Sequence, residues 1–285
     1  MKILFYIFGF PVHFFGVMIA FGFLAGIILS FYEVRRKNLD TERLFDLAIY
    51  GIISAVIGAR IFYIIFYDLS YYLKNPAEII LISEGGLSIH GGLIGAFLFG
   101  IYYFRKHKLS FLQYADAIVP GIILGQGIGR VGCDVFGKVM MSSLPWGIEH
   151  QGQLLHPTQV YEFLLNYIVF FILLRKRKNI KYNGQLFVWY IVLFSINRGI
   201  VEMFRYNPSI IGWFSISHLL SVLFIIVAMI LRFVINRRNP IVLTSADKID
   251  DIDKKADGLS ICIKELAFVL IITVISILIY YTVQS

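Results

Sequence analysis

The sequence predicts an all-α, polytopic transmembrane helical bundle, with a seven-helix core followed by one C-terminal transmembrane helix. Of the 285 residues, 58% are hydrophobic and 15% are charged, and the mean hydropathy is +0.77. Soluble domains contain roughly 45–50% apolar residues, so the composition excludes a soluble protein with a single anchor. The apolar residues form separate runs of roughly 20, the length that a helix needs to cross a bilayer. A third observation is that the loops between these runs alternate in basic charge.

Eight segments meet the length criterion. The first begins after Pro11, and the third and fourth are short and glycine-rich. The fifth starts at Pro157, which suits the first turn of a helix. The eighth is uniformly apolar and β-branched, without embedded charge, and we expect it to act as an anchor or packing element. The segments cover about residues 12–32, 45–67, 87–104, 116–134, 157–174, 186–205, 213–235 and 264–283.

These segments predict three parts of the chain. Residues 1–235 would form the seven-helix domain, 236–263 a charged cytoplasmic linker and 264–285 the part with the C-terminal helix. The N-terminus has no small-residue cleavage site, so we expect the first helix to be retained. The two cysteines, Cys133 and Cys262, predict neither a disulfide framework nor a metal site.

Basic residues fix the predicted orientation. The loops after the second and fourth segments contain only Lys74 and Lys138, and the loop after the sixth contains none. The positive-inside rule therefore places both termini outside. The same rule explains the net charge of +8 without nucleic-acid binding. The basic loops contain Arg35, Arg36, Lys37 and Arg43, then Arg105, Lys106 and Lys108, then Arg175, Lys176, Arg177, Lys178 and Lys181, and finally Arg237, Arg238, Lys248, Lys254 and Lys255.

Ionisable and polar side chains cluster toward the predicted external leaflet. A charged residue at mid-bilayer costs about 2.5–3.5 kcal/mol on insertion scales, so a random scatter is not expected. A common cavity on the external side explains the clustering. The residues concerned are Arg60, His90, Arg130, His156, Tyr161, Glu162, Arg198, Glu202 and Arg205.

The stretch NRGIVEMFR indicates the charge of the expected ligand. Arg198, Glu202 and Arg205 are spaced i, i+4 and i+7 and share one helix face. One carboxylate offsets one arginine, and Arg60 and Arg130 add further positive charge. Because an arginine fork matches phosphate bidentately, a lipid with an anionic head group is the predicted substrate.

Two of these arginines, Arg205 and Arg60, also have a structural alternative. We expect Arg205, near a helix end, to extend toward the membrane surface. Arg60, in GARIFY, could pair with a carbonyl or with Glu202 instead of a ligand. His90 lies between glycines in EGGLSIHGGLIG, and neutral imidazole is a plausible base.

The stretch HPTQVYE has a structural alternative of its own. His156 and Thr158 stand at the predicted start of the fifth helix. Capping of that helix accounts for both residues without a ligand.

Four motifs, in this order, resemble the prolipoprotein diacylglyceryl transferase family: SIHGGLIG, GIGRVG, LHPTQVYE and NRGIVEMFR. GARIFYIIFY fits as well, and the resemblance covers about residues 8–235. It implies transfer of the diacylglyceryl group of phosphatidylglycerol to the lipobox cysteine of a prolipoprotein signal peptide. The product would be a thioether and the leaving group glycerol phosphate, without a metal or other cofactor. The site would face the outer side of the bacterial plasma membrane.

The resemblance also implies roles for individual residues. Arg130 and Arg198 would bind the lipid phosphate and stabilise charge on the leaving group. His90 would orient the head group or help to remove the thiol proton, and Glu202 would orient Arg198. With Arg60 and Tyr161 as further substrate-binding residues, these form the predicted site.

The chain departs from the family pattern G-R-x-G-N-F-x-N-x-E, since it has GRVGCDVFGK. Cys133 and Phe136 replace the two asparagines, and Lys138 replaces the glutamate. Phe15 stands where a tyrosine is expected. The departures leave two alternatives open: a diverged protein that binds an anionic phospholipid or transfers it to another acceptor, and an organic-anion transporter. The one-sided charge and lack of an internal repeat argue against the transporter.

Overall fold

The computed structural model describes residues 2–7, 9–67, 69–81, 85–142, 144–207, 209–211, 214–238 and 258–284. The described residues form nine α-helices. Eight of them are long and correspond to the eight predicted segments, and α3 is a short connecting helix. Their bounds are α1 Phe14–Arg36, α2 Thr41–Tyr67, α3 Leu69–Lys74, α4 Ile89–Lys106, α5 Phe111–Val131, α6 Thr158–Lys176, α7 Gln185–Glu202, α8 Ile216–Arg238 and α9 Gly258–Gln284.

The predicted class, an all-α polytopic membrane protein, is confirmed. Within the described part of the chain, six helices are long and apolar enough to cross a membrane: α1, α2, α5, α6, α8 and α9. The other two long helices, α4 and α7, have 18 residues each and do not meet this criterion. They contain His90 and the Arg198–Glu202 pair, so their membrane crossing stays a prediction.

The described residues contain three short hairpins that the sequence did not predict. They pair β1 (Ile3–Ile7) with β2 (Phe10–His13), β3 (Ile148–His150) with β4 (Gln153–Leu155), and β5 (Ser209–Ile211) with β6 (Phe214–Ser215). The first hairpin turns at Gly9, whose φ of +84° favours glycine. Because residues 10–13 pair with β1, α1 begins at Phe14 and not at residue 12.

The chain forms two compact units. The first contains Met1–Glu33 and Ala115–Ser285, and the second contains Val34–Tyr114. The core of the first unit is built around the buried aromatic and aliphatic face of α6, which includes Phe163, Tyr167, Phe170 and Leu173.

Glycines allow close helix contacts within each unit. In the first unit a Cβ at Gly26 would lie 2.8 Å from the carbonyl oxygen of Gly121, so α1 and α5 pack backbone to backbone. In the second unit a Cβ at Gly58 would lie 2.9 Å from the Cα of Gly95, which holds α4 against α2 in the same way.

The C-terminal helix differs in one respect from its prediction. It begins at Gly258, earlier than residue 264, and contains a buried carboxylate, Glu265. The expectation that this segment has no embedded charge is therefore wrong. Residues 239–257, most of the predicted linker, lie outside the described residues, and the predicted three-part division stays a prediction.

Candidate functional site

Three arginines and two glutamates meet in the first unit, at the end where α5 and α7 stop and α6 starts. We call Arg130, Arg198, Arg205, Glu162 and Glu202 the arginine cluster. Nε of Arg130 lies 3.0 Å from Oε1 of Glu162, and Nη1 of Arg205 lies 4.0 Å from Oε2 of the same carboxylate. Nη2 of Arg198 lies 2.8 Å from Oε2 of Glu202. Three guanidinium groups against two carboxylates leave one formal positive charge.

Glu162 is the residue that joins α6 to this cluster. Its side chain is 7% exposed, whereas that of Arg130 is 35% exposed, so the carboxylate lies beneath the more accessible guanidinium. One turn further along α6, Oδ1 of Asn166 accepts a 2.6 Å hydrogen bond from Nδ2 of Asn197, which fixes α6 against α7. Burial and two cationic partners together make Glu162 an anchor for Arg130.

Glu202 holds Arg198 through a small polar network. Its Oε1 accepts hydrogen bonds from Nδ2 of Asn207 at 2.7 Å and from the Ser215 hydroxyl at 2.8 Å. Arg198 also donates from Nη2 to the Ser217 hydroxyl at 3.3 Å. Its Nη1 is buried and has no hydrogen-bond partner among the residues that the structure describes. Arg198 is therefore fixed on one side and retains N–H groups for a ligand.

Arg205 does not extend away from the protein as expected. Its side chain is 16% exposed and lies beside Glu162, so the prediction that it reaches toward the membrane surface is wrong. The carboxylate draws Arg205 inward because a buried Glu162 needs compensating positive charge.

Tyr161 lies next to the cluster, half-buried and engaged by two neighbours. Its hydroxyl accepts a hydrogen bond from Trp146 Nε1 at 3.0 Å and lies 3.1 Å from His156 Nδ1. Burial, followed by the positive charge of Lys138, lowers the pKa of His156 below its ordinary value. The imidazole is therefore neutral at neutral pH.

The expectation that His156 and Thr158 cap α6 is wrong. Pro157 takes the N-cap position, with no side-chain hydrogen bond to the helix. The Thr158 hydroxyl instead donates to the Val135 carbonyl at 2.9 Å, which ties the segment after α5 to the start of α6.

Arg60 belongs to the second unit, where backbone carbonyls surround its guanidinium. Nε donates to Ile79, Nη1 to Gly85 and Gly86, and Nη2 to Glu78 and Leu81, at 2.6 to 3.0 Å. A guanidinium has five N–H groups, so these five bonds use all of them. Of the partners considered for Arg60, the structure shows backbone carbonyls. We therefore leave Arg60 out of the proposed phosphate site.

His90, also in the second unit, stands in the first turn of α4 with its side chain exposed. Ser88 precedes this helix as its N-cap, and the Ser88 N–H donates to the Ala59 carbonyl at 3.0 Å. Gly91 faces α2, since a Cβ there would lie 3.1 Å from the Ala59 Cα. That glycine therefore serves helix packing, and the exposed His90 remains a candidate base.

A family model described as "Prolipoprotein diacylglyceryl transferase" matches residues 2–234. The chain belongs to the prolipoprotein diacylglyceryl transferase family. Three similar proteins are each named phosphatidylglycerol--prolipoprotein diacylglyceryl transferase. That of Clostridioides difficile (strain 630) is 35% identical over 240 residues, covering 84% of this chain and 96% of the relative. That of Finegoldia magna is 35% identical over 236 residues, covering 81% and 94%. That of Bacillus cereus (strain G9842) is 34% identical over 253 residues, covering 84% and 92%.

Cys133 and Lys138, two positions at which the chain departs from the family pattern, both make polar contacts beside the cluster. Sγ of the buried Cys133 lies 3.6 Å from Nη1 of Arg130, so the thiol takes a polar partner within the cluster. Nζ of Lys138 donates to the Met203 carbonyl at 3.0 Å, at the C-terminal end of α7. A cation is favourable there because carbonyls at a helix C-terminus lack partners.

The sequence prediction brought together Arg130, Arg198 and Glu202, and the structure places all three in one cluster. It missed the pairing of Glu162 with Arg130 and the roles of Asn207, Ser215 and Ser217. The first pair is distant in sequence and has no helical spacing to reveal it. In the described residues, no group of three or more histidine, cysteine or acidic side chains is arranged to hold a metal ion.

Proposed function

We propose that this chain transfers the diacylglyceryl group of phosphatidylglycerol to the lipobox cysteine thiol of a prolipoprotein. The sulfur forms a bond to the glyceryl carbon, the bond from that carbon to the phosphate oxygen breaks, and glycerol phosphate leaves. The observation that carries the proposal is the arginine cluster, with surplus positive charge and an unpartnered Nη1 on Arg198. The names of the relatives agree with this substrate and acceptor.

Arg130 and Arg198 would bind the phosphate and stabilise the charge that it gains as the carbon–oxygen bond breaks. Both are held before substrate arrives, Arg130 by Glu162 and Arg198 by Glu202. Preorganised donors of this kind cost no reorganisation at the moment of reaction, and loss of one typically lowers kcat by about 10²–10³.

The thiol must lose its proton, because the thiolate is the nucleophile and an ordinary thiol has a pKa of about 8.5. His90 would accept that proton or orient the head group. Its exposed position at the start of α4 leaves the imidazole accessible. Tyr161 would contact the substrate beside Arg130.

We place this multi-pass protein in the bacterial cytoplasmic membrane, with its N-terminus outside and the arginine cluster toward the external leaflet. The support is the alternation of basic loops along the sequence. Labelling of single cysteines introduced into loops, with a membrane-impermeant reagent on intact cells, tests this orientation. External labelling after Arg36 and protection after Lys74 would contradict it.

The activity is tested with full-length protein in nanodiscs, phosphatidylglycerol labelled in its acyl chains, and a lipobox peptide. We expect transfer by the wild type and a loss of about 10²-fold or more in Arg130→Ala and Arg198→Ala. Arg105→Ala, an exposed arginine at the end of α4, is the matched control and should transfer normally. Absence of transfer by the wild type, or equal transfer by all variants, would refute the proposal.

A second candidate is transfer of the same anionic lipid to another acceptor. The observation that favours it is the altered motif, which puts Cys133 beside Arg130 and Lys138 against α7. Lipid and protein mass spectrometry of cells that overproduce the chain would reveal a new lipid adduct. If the lipobox cysteine is the sole labelled acceptor, this candidate is excluded.

A further inference from the structure

The C-terminal helix α9 lies beyond the residues that match the family model. The match ends at residue 234, and α9 covers Gly258–Gln284. This helix packs against α6, the helix that carries Tyr161 and Glu162. The contact continues along α6 through polar side chains from both helices, so α9 is an integral helix of the first unit.

The start of α9 is fixed by a buried charge cluster. The Glu265 side chain, 9% exposed, lies 3.0 Å from Nη2 of Arg177, 3.4 Å from Nζ of Lys178 and 3.6 Å from Nη1 of Arg175. Arg177 also pairs with the fully buried Glu33 at the end of α1. Removing one partner from such a group leaves an uncompensated buried charge, so this end of α9 is firmly attached.

The other end of α9 makes hydrogen bonds at the opposite end of α6. The Tyr167 and Ser276 hydroxyls lie 2.8 Å apart in the interior. Further along, the fully buried Tyr280 donates to Oε1 of Gln159 at 3.2 Å. The Tyr281 hydroxyl donates to the Trp146 carbonyl at 2.8 Å, and the Trp146 indole in turn donates to Tyr161.

These contacts lie beside the arginine cluster. Gln159 stands one helical turn before Glu162, the carboxylate that holds Arg130. The buried Cys133 contacts Arg130, so a shift of this arginine changes what surrounds the thiol. The first turn of α6 has no side-chain cap, so its position depends on lateral contacts of this kind.

We propose that Tyr280 and Tyr281 of α9 are positioning residues of the arginine cluster. Tyr280 holds the first turn of α6 through Gln159, and Tyr281 holds Trp146 and thereby Tyr161. Together they set the position of Glu162 relative to Arg130, and through Arg130 the surroundings of the buried Cys133. The inference rests on the proposed function for its kinetic consequence, whereas the effect on Cys133 follows from the contacts of Arg130 with Glu162 and Cys133 and requires no activity.

The test uses full-length protein with Tyr280→Phe and Tyr281→Phe, singly and combined, which remove only the hydroxyls. Thr282→Val is the matched control, because the Thr282 hydroxyl bonds only to carbonyls of its own helix among the described residues. We expect kcat of the double variant to fall about tenfold, because misplacement of a supporting group weakens charge stabilisation. KM for both substrates should stay within about twofold, since the arginines that bind the phosphate remain.

A second readout does not require activity. In a Cys262→Ser background, Cys133 is the single thiol, and its rate of labelling by a maleimide reports its accessibility. We expect labelling to be faster by about threefold or more in the double variant, with no change in Thr282→Val.

The two readouts separate the inference from the proposed function. If the wild type transfers lipid and the double variant has the kcat of Thr282→Val, the inference is overturned. If the wild type shows no transfer, the proposed function fails, and the labelling decides: faster labelling supports the positioning by α9, and unchanged labelling overturns it.

Discussion

Glu162 Oε1 lies 3.0 Å from Arg130 Nε, and this contact joins the start of α6 to the end of α5. The same carboxylate faces Arg205, so one buried acid organises two arginines from different parts of the chain. Its removal would free both guanidinium groups and change the charge that a phosphate meets. A substitution of Glu162 therefore tests how the arginines are positioned without removing an arginine that binds the ligand.

Glu162→Gln should lower kcat by about tenfold while KM for phosphatidylglycerol stays equal or falls. The variant keeps the shape of the side chain but loses the charge, so Arg130 is held less firmly in a more positive site. Steady-state kinetics in nanodiscs measure both constants. Glu149→Gln, an exposed acid in β3, is the control. A raised KM with normal kcat would assign Glu162 a direct part in ligand binding instead.

Arg198→Lys should lower kcat/KM by about 10²-fold. A lysine keeps the positive charge but lacks the planar fork that can bind Glu202 and a phosphate at once. Transfer kinetics compare this variant with Arg105→Lys, whose side chain is exposed at the end of α4. Near-normal kinetics of Arg198→Lys would show that charge alone suffices at this position.

Arg60→Lys should destabilise the second unit without changing KM for phosphatidylglycerol. The lysine ammonium has three N–H donors, so it leaves at least two of the five carbonyls that the buried Arg60 now binds without a donor from this side chain. We expect a lower unfolding temperature and faster cleavage by a glutamate-specific protease at Glu78. Arg43→Lys on the same helix, at a half-exposed position where its partners are the carboxylates of Asp40 and Asp46, is the control. A raised KM with unchanged stability would return Arg60 to the binding site.

Acidification should destabilise the protein partly through His156. Its pKa is lowered in the folded state, so the unfolded chain binds the proton more readily as pH falls below about 6.5. Stability attributable to this group is complete above that pH and declines toward the lowered folded pKa. Unfolding temperatures between about pH 7 and pH 5 should fall less in His156→Gln than in the wild type. The control is His150→Gln, at an exposed site. An equal dependence of unfolding temperature on pH in the wild type, His156→Gln and His150→Gln would contradict the effect.

Glu265→Gln should reduce the free energy of unfolding by about 3 kcal/mol, because it removes one of the two carboxylates that compensate the buried Arg177. Denaturant or thermal unfolding in detergent measures the change, with the exposed Glu42→Gln as the control. An unchanged free energy of unfolding would mean that Glu33 alone compensates the charge of Arg177.

The sequence predicted those features whose cause is local. Hydropathy gives the long helices, because a spanning segment must be apolar over a fixed length, and helical spacing pairs Arg198 with Glu202. Features that depend on packing escaped prediction. Arg130 and Glu162 stand on different helices. For Arg60 the sequence left carbonyls, Glu202 and a ligand as alternatives, because backbone carbonyls carry no residue-specific signal. The hairpin of β1 and β2 was not predicted, because its residues are as apolar as those of a spanning helix.

The central claim is that the arginine cluster serves transfer of a diacylglyceryl group to a thiol. Intact-mass measurement of a lipobox peptide after incubation with phosphatidylglycerol and the full-length protein tests it most directly. We predict a diacylglyceryl adduct on the cysteine peptide, none on the same peptide with serine, and loss of the adduct in Arg198→Ala. An unmodified cysteine peptide with active, folded wild-type protein in a phosphatidylglycerol bilayer, or an adduct that persists in Arg198→Ala, would contradict the account.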